Sequence, residues 1–232
     1  MKNLFVFTLL ILLVSCEVND PISPNITNGI NRIQEFYNCE VVFDIKKDFD
    51  LSGMKKVILV KVKGEVFEEF GQWMEVPASN IAMILHDYMS NDERGFNEMI
   101  VELIAPNGKK ESFVYSSKEL SDLKSYTNLF IDFMVDIQDR RYEAFARKMD
   151  PSIFNDVSSE FVHSTLYPVD TLYGSVDDFT FHGAIFRTLK DRKEEVIVSY
   201  GVLHYIKQSI QLKAIFKRNN RKLVLMDLNW SS

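Results

Sequence analysis

Residues 194–230 read EEVIVSYGVLHYIKQSIQLKAIFKRNNRKLVLMDLNW, and their alternation decides the fold. Ile210, Leu212, Ala214 and Phe216 take every second place in one run, and Leu223 and Leu225 do so in the next. A period of two is the mark of strands with one buried face. Short polar breaks separate the runs, at Ile206 to Gln208 and at Arg218 to Arg221 with its Asn219-Asn220 pair. Another β-branched and aromatic run, Phe179 to Leu189, precedes them across the polar turn Lys190 to Lys193. Four consecutive strands on short turns predict an antiparallel meander at this end of the chain.

Upstream the period changes to that of helices. Ser116-Ser117-Lys118-Glu119 has the form of a capping box and opens the longest helical stretch. Leu120, Leu123, Phe130, Phe133, Met134 and Ile137 form its apolar stripe. Asp139-Arg140-Arg141 interrupts the stripe. Tyr142, Phe145, Ala146 and Met149 continue it as a second, shorter helix that ends at Asp150-Pro151. A looser helical segment runs from Ile153 to about Val176. Residues 30–116 read as a small α+β domain. It has a short helix at Ile33 and Phe36-Tyr37, and strands at Val41 to Ile45 and Val57 to Val62. A helix capped by Ser79 carries Ile81, Ile84, Leu85 and Tyr88 on one face. A hairpin of Met99 to Ala105 and Ser112 to Tyr115 turns at Asn107-Gly108. The expected fold class is therefore α+β, with a small domain over 30–116 and a second α+β domain over 117–232.

The order of elements in the second half resembles the nuclear transport factor 2-like superfamily. Two helices, the second holding Tyr-Glu-Ala-Phe-Ala-Arg-Lys-Met-Asp (142–150), give way to a helical excursion. Long antiparallel strands then close on Leu223 to Trp230. The resemblance covers 117–232. It implies a cone-shaped domain whose curved antiparallel sheet wraps helices around an internal pocket, and a homodimer paired through that sheet. Enzymatic members hold a carboxylate, histidine or tyrosine inside the cone. On that footing the candidate pocket residues are Tyr142, His163, Tyr167, Asp170, His182, Tyr200 and Asp227. None matches a family motif at a defined position, so the resemblance assigns no catalytic residue.

The chain opens with MKNLFVFTLLILLVSC. Lys2 gives a positive start, and residues 4–14 form an apolar run broken only by Thr8. That length suits a signal peptide and is too short for a stable membrane-spanning helix. Its end, Leu13-Val14-Ser15-Cys16, resembles the lipobox of bacterial lipoproteins. The resemblance implies a signal peptide over 1–15, cleavage before Cys16, and acyl chains on that cysteine that hold the protein to a membrane. Residues 17–29 are polar with two prolines and read as a tether. Glu17 and Asp20 resemble the acidic residues by which some Gram-negative lineages send lipoproteins to the surface. The expected location is the outer membrane, facing the periplasm or the cell exterior.

Charge and chemistry narrow the rest. The net charge is −6, yet Arg187 to Lys222 holds ten Lys/Arg against three Asp/Glu. In a meander the first and third turns share one end of the sheet. Lys190, Arg192 and Lys193 would then join Lys217, Arg218, Arg221 and Lys222 in a basic rim suited to anionic head groups or an acidic partner. Export and an acidic chain argue against nucleic acid. No Gly-rich phosphate loop and no G-x-S-x-G elbow occurs. His86, His163, His182 and His204 show no metal-ligand spacing, so no cofactor is expected. Cys39 is the one cysteine besides Cys16, and its apolar neighbours predict a buried structural thiol. The leading expectation is a membrane-anchored, non-enzymatic module of the cell envelope that binds a small hydrophobic ligand or an envelope protein. One alternative is an enzyme of the ketosteroid isomerase or dehydratase kind, acting on a small hydrophobic molecule with a carboxylate or histidine as base. The other is a structural subunit of an envelope complex.

Overall fold

The computed structural model describes residues 22–50, 53–149, 164, 166–189, 194–218 and 223–229. For 48–50, 53, 54, 189 and 223–229 it describes the backbone path. The signal peptide, Cys16, His163 and the rim residues Lys190, Arg192, Lys193, Arg221 and Lys222 lie outside the described residues, as does the side chain of Asp227.

Helix α1 (Pro24–Tyr37) starts inside the stretch read as a tether. The reading of 24–29 as linker is corrected by a local cap. Ser23 Oγ accepts the Ile26 N–H at 3.2 Å, and Pro24 occupies the first turn, where its missing N–H leaves no bond unmade. Ile26, Ile33 and Tyr37 then form a buried stripe, and Asn38 closes the helix in a left-handed conformation.

Four strands form the first sheet: β1 (Glu40–Asp50), β2 (Gly53–Lys63), β3 (Glu98–Ile104) and β4 (Lys110–Tyr115), in the order β1-β2-β3-β4. β1 with β2 and β3 with β4 are antiparallel, while β2 with β3 is parallel. Parallel neighbours need a crossover. It is supplied by α2 (Phe67–Phe70), a 3-10 turn at Gly71–Trp73 and α3 (Glu75–Tyr88). Ile58, Val60 and Val62 face Met99, Val101 and Leu103 across the parallel ladder, all buried. On the opposite face Lys55 pairs with Glu98 at 3.0 Å and Lys61 with Glu102 at 4.0 Å.

α3 is apolar around most of its circumference, which is the pattern of a helix enclosed on all sides. It packs on α1, on the first sheet, and on β5 of the second. The expected cap at Ser79 is wrong, because the helix begins at Glu75. Pro77 is tolerated in a first turn, so the apolar segment Val76 to Ala78 is already helical. Ser79 is buried instead. Its hydroxyl donates to the Val76 carbonyl at 2.7 Å and accepts the Ala184 N–H at 3.1 Å.

The second sheet is the expected meander: β5 (Val176–Leu189), β6 (Glu194–Tyr205), β7 (Ser209–Lys217) and β8 (Leu223–Asn229), antiparallel throughout and in sequence order. α4 (Ser117–Gln138) carries the complete capping box between Ser116 and Glu119. It lies against β5 and β6, and α5 (Tyr142–Arg147) packs on it. Phe133 sits between Phe145 and Phe216, at 5.2 and 5.5 Å between ring centroids. Gly201 admits Phe130 to the sheet, since a Cβ there would lie 3.0 Å from its ring and 2.7 Å from the Thr180 carbonyl. One hydrophobic core runs from Ile26 to Phe216 without a break at residue 117. The protein is thus α+β, with a mixed sheet and an antiparallel sheet joined through α3. Among the described residues no helix is long and apolar enough to cross a membrane.

Candidate functional site

The described candidate pocket residues fall into two separate groups. The first lies where α5 meets α6 (Tyr167–Tyr173). Asp139-Arg140-Arg141, which broke the apolar stripe, is the turn between α4 and α5, and Arg140 adopts a positive φ of 56° there. The turn directs Arg140 Nε onto Asp170 Oδ2 at 3.2 Å. It also directs Arg141 onto the buried Asp136 at 3.1 Å. The Tyr142 hydroxyl donates to the same Asp170 oxygen, and the Tyr142 and Tyr167 rings meet at 5.3 Å. Burial, then the hydrogen bond to Asp170, holds the Tyr142 phenol well above its ordinary pKa, so it remains a donor. Burial and the Asp170 charge do the same for Tyr205. Among the described residues, Asp170 Oδ1 and Tyr205 Oη are buried without a hydrogen-bond partner. Such groups are uncommon in folded proteins and are costly to leave unmet.

The second group holds His182 and Tyr200. The pairing of β5 with β6 slips between Phe181 and Gly183, leaving His182 as the extra residue of a bulge. Bulges re-aim a side chain, and the His182 ring lies 6.0 Å from that of Phe70. Tyr200 on β6 faces Trp73, with ring centroids 6.2 Å apart and planes inclined by 47°. Around these rings lies a cleft of about 430 Å³ between the α2 to α3 segment and the face of the second sheet turned away from α4. Glu69 lines it from the helical side, and Gln211 and Lys213 from β7. The register explains the company. Tyr200 stands opposite Lys213, and two residues along the same face Val202 stands opposite Gln211. Burial, with a smaller contribution from His204, lowers the His182 pKa, so its imidazole is neutral at pH 7. His204 does not line the cleft. Its ring bonds Thr180 at 2.8 Å and Ser209 at 2.9 Å.

Phe70, Trp73, Glu69, Gln211 and Lys213 were not among the sequence candidates. The apolar spacing of Phe67, Phe70, Trp73 and Met74 was a helical signal in the sequence. Nothing local joined it to β7. Of the basic rim, the two described members are engaged. Lys217 pairs with Glu194 at 3.7 Å. Arg218 pairs with Glu195 at 2.8 Å and Asp122 at 3.4 Å, and lies over the Phe186 ring at 4.8 Å. Among the described residues no cluster of three or more His, Cys, Asp or Glu could hold a metal. No protein-family model, curated protein or solved structure matches the chain.

Proposed function

We propose that this is a lipid-anchored protein of the cell envelope acting as a non-enzymatic binding module, with the cleft between α2 and the second sheet as its ligand site. The anchor rests on the lipobox resemblance at Leu13 to Cys16, which favours the outer membrane, facing periplasm or exterior. Binding rests on one observation: Trp73 is 47% exposed at the rim of a cleft that also presents Phe70, His182 and Tyr200. A concave, aromatic-lined site with a few convergent polar groups is the form ligand sites take. The nuclear transport factor 2-like reading of 117–232 belongs to the same proposal, supported by α4 laid on a four-stranded antiparallel meander with α5 packed on α4.

The test is native mass spectrometry of the detergent-solubilised full chain after incubation with a small-molecule extract of the source cells. A retained adduct that Trp73→Ala abolishes supports the reading. Adducts that are absent, or unchanged by that substitution, defeat it.

A second reading, an enzyme for a small hydrophobic molecule, is favoured by the Tyr142–Asp170–Tyr205 group. It presents one carboxylate oxygen and one phenol that are buried and have no hydrogen-bond partner among the described residues. Under that reading Asp170→Asn abolishes turnover of a carbonyl substrate while leaving the Trp73-dependent adduct intact.

A further inference from the structure

We propose that the cleft takes a neutral saccharide, laid against Trp73 and hydrogen-bonded by Glu69, Gln211, Lys213 and Tyr200. The proposal rests on the cleft being the binding site, and it adds the class of ligand. The first observation is the aromatic surface. Trp73 keeps nearly half of its area exposed, although a fold can bury a ring of this size at a gain. Aromatic faces carry negative charge. The C–H bonds on one face of a pyranose are weakly positive and form a flat apolar patch of matching extent.

The second observation is the mixture of polar groups. Lys213 can only donate hydrogen bonds, and Glu69 can only accept them. Gln211, Tyr200 and His182 do both. A sugar hydroxyl also donates and accepts, so a run of hydroxyls satisfies every member of this set.

Other ligand classes leave part of the set unmet. A wholly apolar molecule would cover these five groups with nothing to bond them. An anion would meet Glu69 with Lys213 as the one opposing charge lining the cleft among the described residues. The neighbouring Arg187 is committed to Glu75 at 2.7 Å. A proline-rich peptide offers carbonyl acceptors but few N–H groups, which leaves the Glu69 carboxylate without donors. Glu69 and Trp73 are both exposed, so the mouth is open to solvent and a chain of sugars can continue beyond it.

The experiment presents the full chain in detergent to an immobilised panel of neutral hexose, pentose and N-acetylhexosamine oligosaccharides. A proline-rich peptide and an apolar dye are tested alongside. Variants Trp73→Ala and Gln211→Ala are compared with the parent, with melting temperature as the check on folding. At least one oligosaccharide is expected to bind. Affinity is expected to fall about tenfold or more in Trp73→Ala and to weaken in Gln211→Ala, at unchanged melting temperature. Saccharide binding that ignores Trp73 overturns the assignment to this cleft. Trp73-dependent binding of the peptide or the dye, with no saccharide retained, overturns the ligand class and leaves the binding site standing. Failure of every probe, together with the absence of any Trp73-dependent adduct in the extract experiment, overturns both.

Discussion

Gly183→Ala is the sharpest test of how the two sheets are joined. Gly183 has a φ of 152°, in the region where residues with a Cβ are strained. It sits against α3 so closely that a Cβ would stand 2.1 Å from the Val76 carbonyl oxygen and 2.8 Å from Ser79 Oγ. Both neighbours are held. Val76 O accepts the Ser79 hydroxyl, and that hydroxyl accepts the Ala184 N–H at 3.1 Å. The added methyl must therefore push helix and strand apart. Overpacking of this kind costs about 1–3 kcal/mol. Loss of the Ser79 to Ala184 bond leaves a buried N–H unmet at a further 1–3 kcal/mol or so. A total near 4 kcal/mol corresponds to a fall of roughly 8–16 °C in melting temperature for a chain of this size. Thermal unfolding followed by circular dichroism measures it. Thr188→Ala, exposed on the same strand, serves as control and is expected within about 0.5 kcal/mol of the parent. A Gly183→Ala melting temperature equal to that of the control would refute the close approach of α3 to β5, and with it the geometry that forms the cleft.

Further outcomes follow from buried groups. Tyr37→Phe strips the Asn80 amide of the hydroxyl it donates to at 2.9 Å and should cost about 1–3 kcal/mol in urea unfolding. Tyr37→Phe with Asn80→Leu should cost less than the two single changes added together, and simple additivity would count against the pair. His86 is buried, and burial, with Arg94 second, lowers its pKa. The unfolded chain therefore takes up a proton more readily than the folded one below about pH 6.5, so stability is present above that value and is lost as the pH falls towards the depressed folded pKa. Unfolding free energy measured at pH 7.5 and 5.5 should fall less for His86→Gln than for the parent; equal falls would remove His86 from the account. Burial pushes the Cys39 thiol up to about 11, and its Sγ lies 3.8 Å from the Ile33 carbonyl. At pH 8 its thiolate population is about 200-fold below that of a free thiol. Its greater intrinsic nucleophilicity offsets part of this, leaving alkylation about 20-fold slower. Peptide mapping after iodoacetamide treatment reads the rate, and one matching an unstructured peptide would show the thiol to be open.

The meander and the long helix were legible because their signals are short-range. Alternation within β7, the polar turns, and Ser116 three residues before Glu119 each act within a few positions of the chain. The strands expected at 194–205 and 209–217 have those bounds in the structure. The same reasoning failed where a long-range contact outweighed a local preference. Ser79 has the chemistry of a cap, but it is buried in α3 because its hydroxyl serves β5, distant in sequence. The parallel pairing of β2 with β3 left no mark in either strand, since a crossover through α3, not a turn, brings them together.

The candidate site divides along the same line. By itself the sequence determined the element types, the α+β class and the supply of tyrosines, histidines and carboxylates. Tertiary structure alone decided which of them meet. Tyr142 and Asp170 come together because the turn at Arg140 returns α5 to the helix that carries Asp170. His182 and Tyr200 belong elsewhere because a single extra residue in β5 turns the histidine towards Phe70. Trp73 joins them from the crossover of the other sheet. Hydrophobic periodicity says which face of an element is buried. It does not say against what, because partners across a sheet or between layers are chosen by the packing of the whole core.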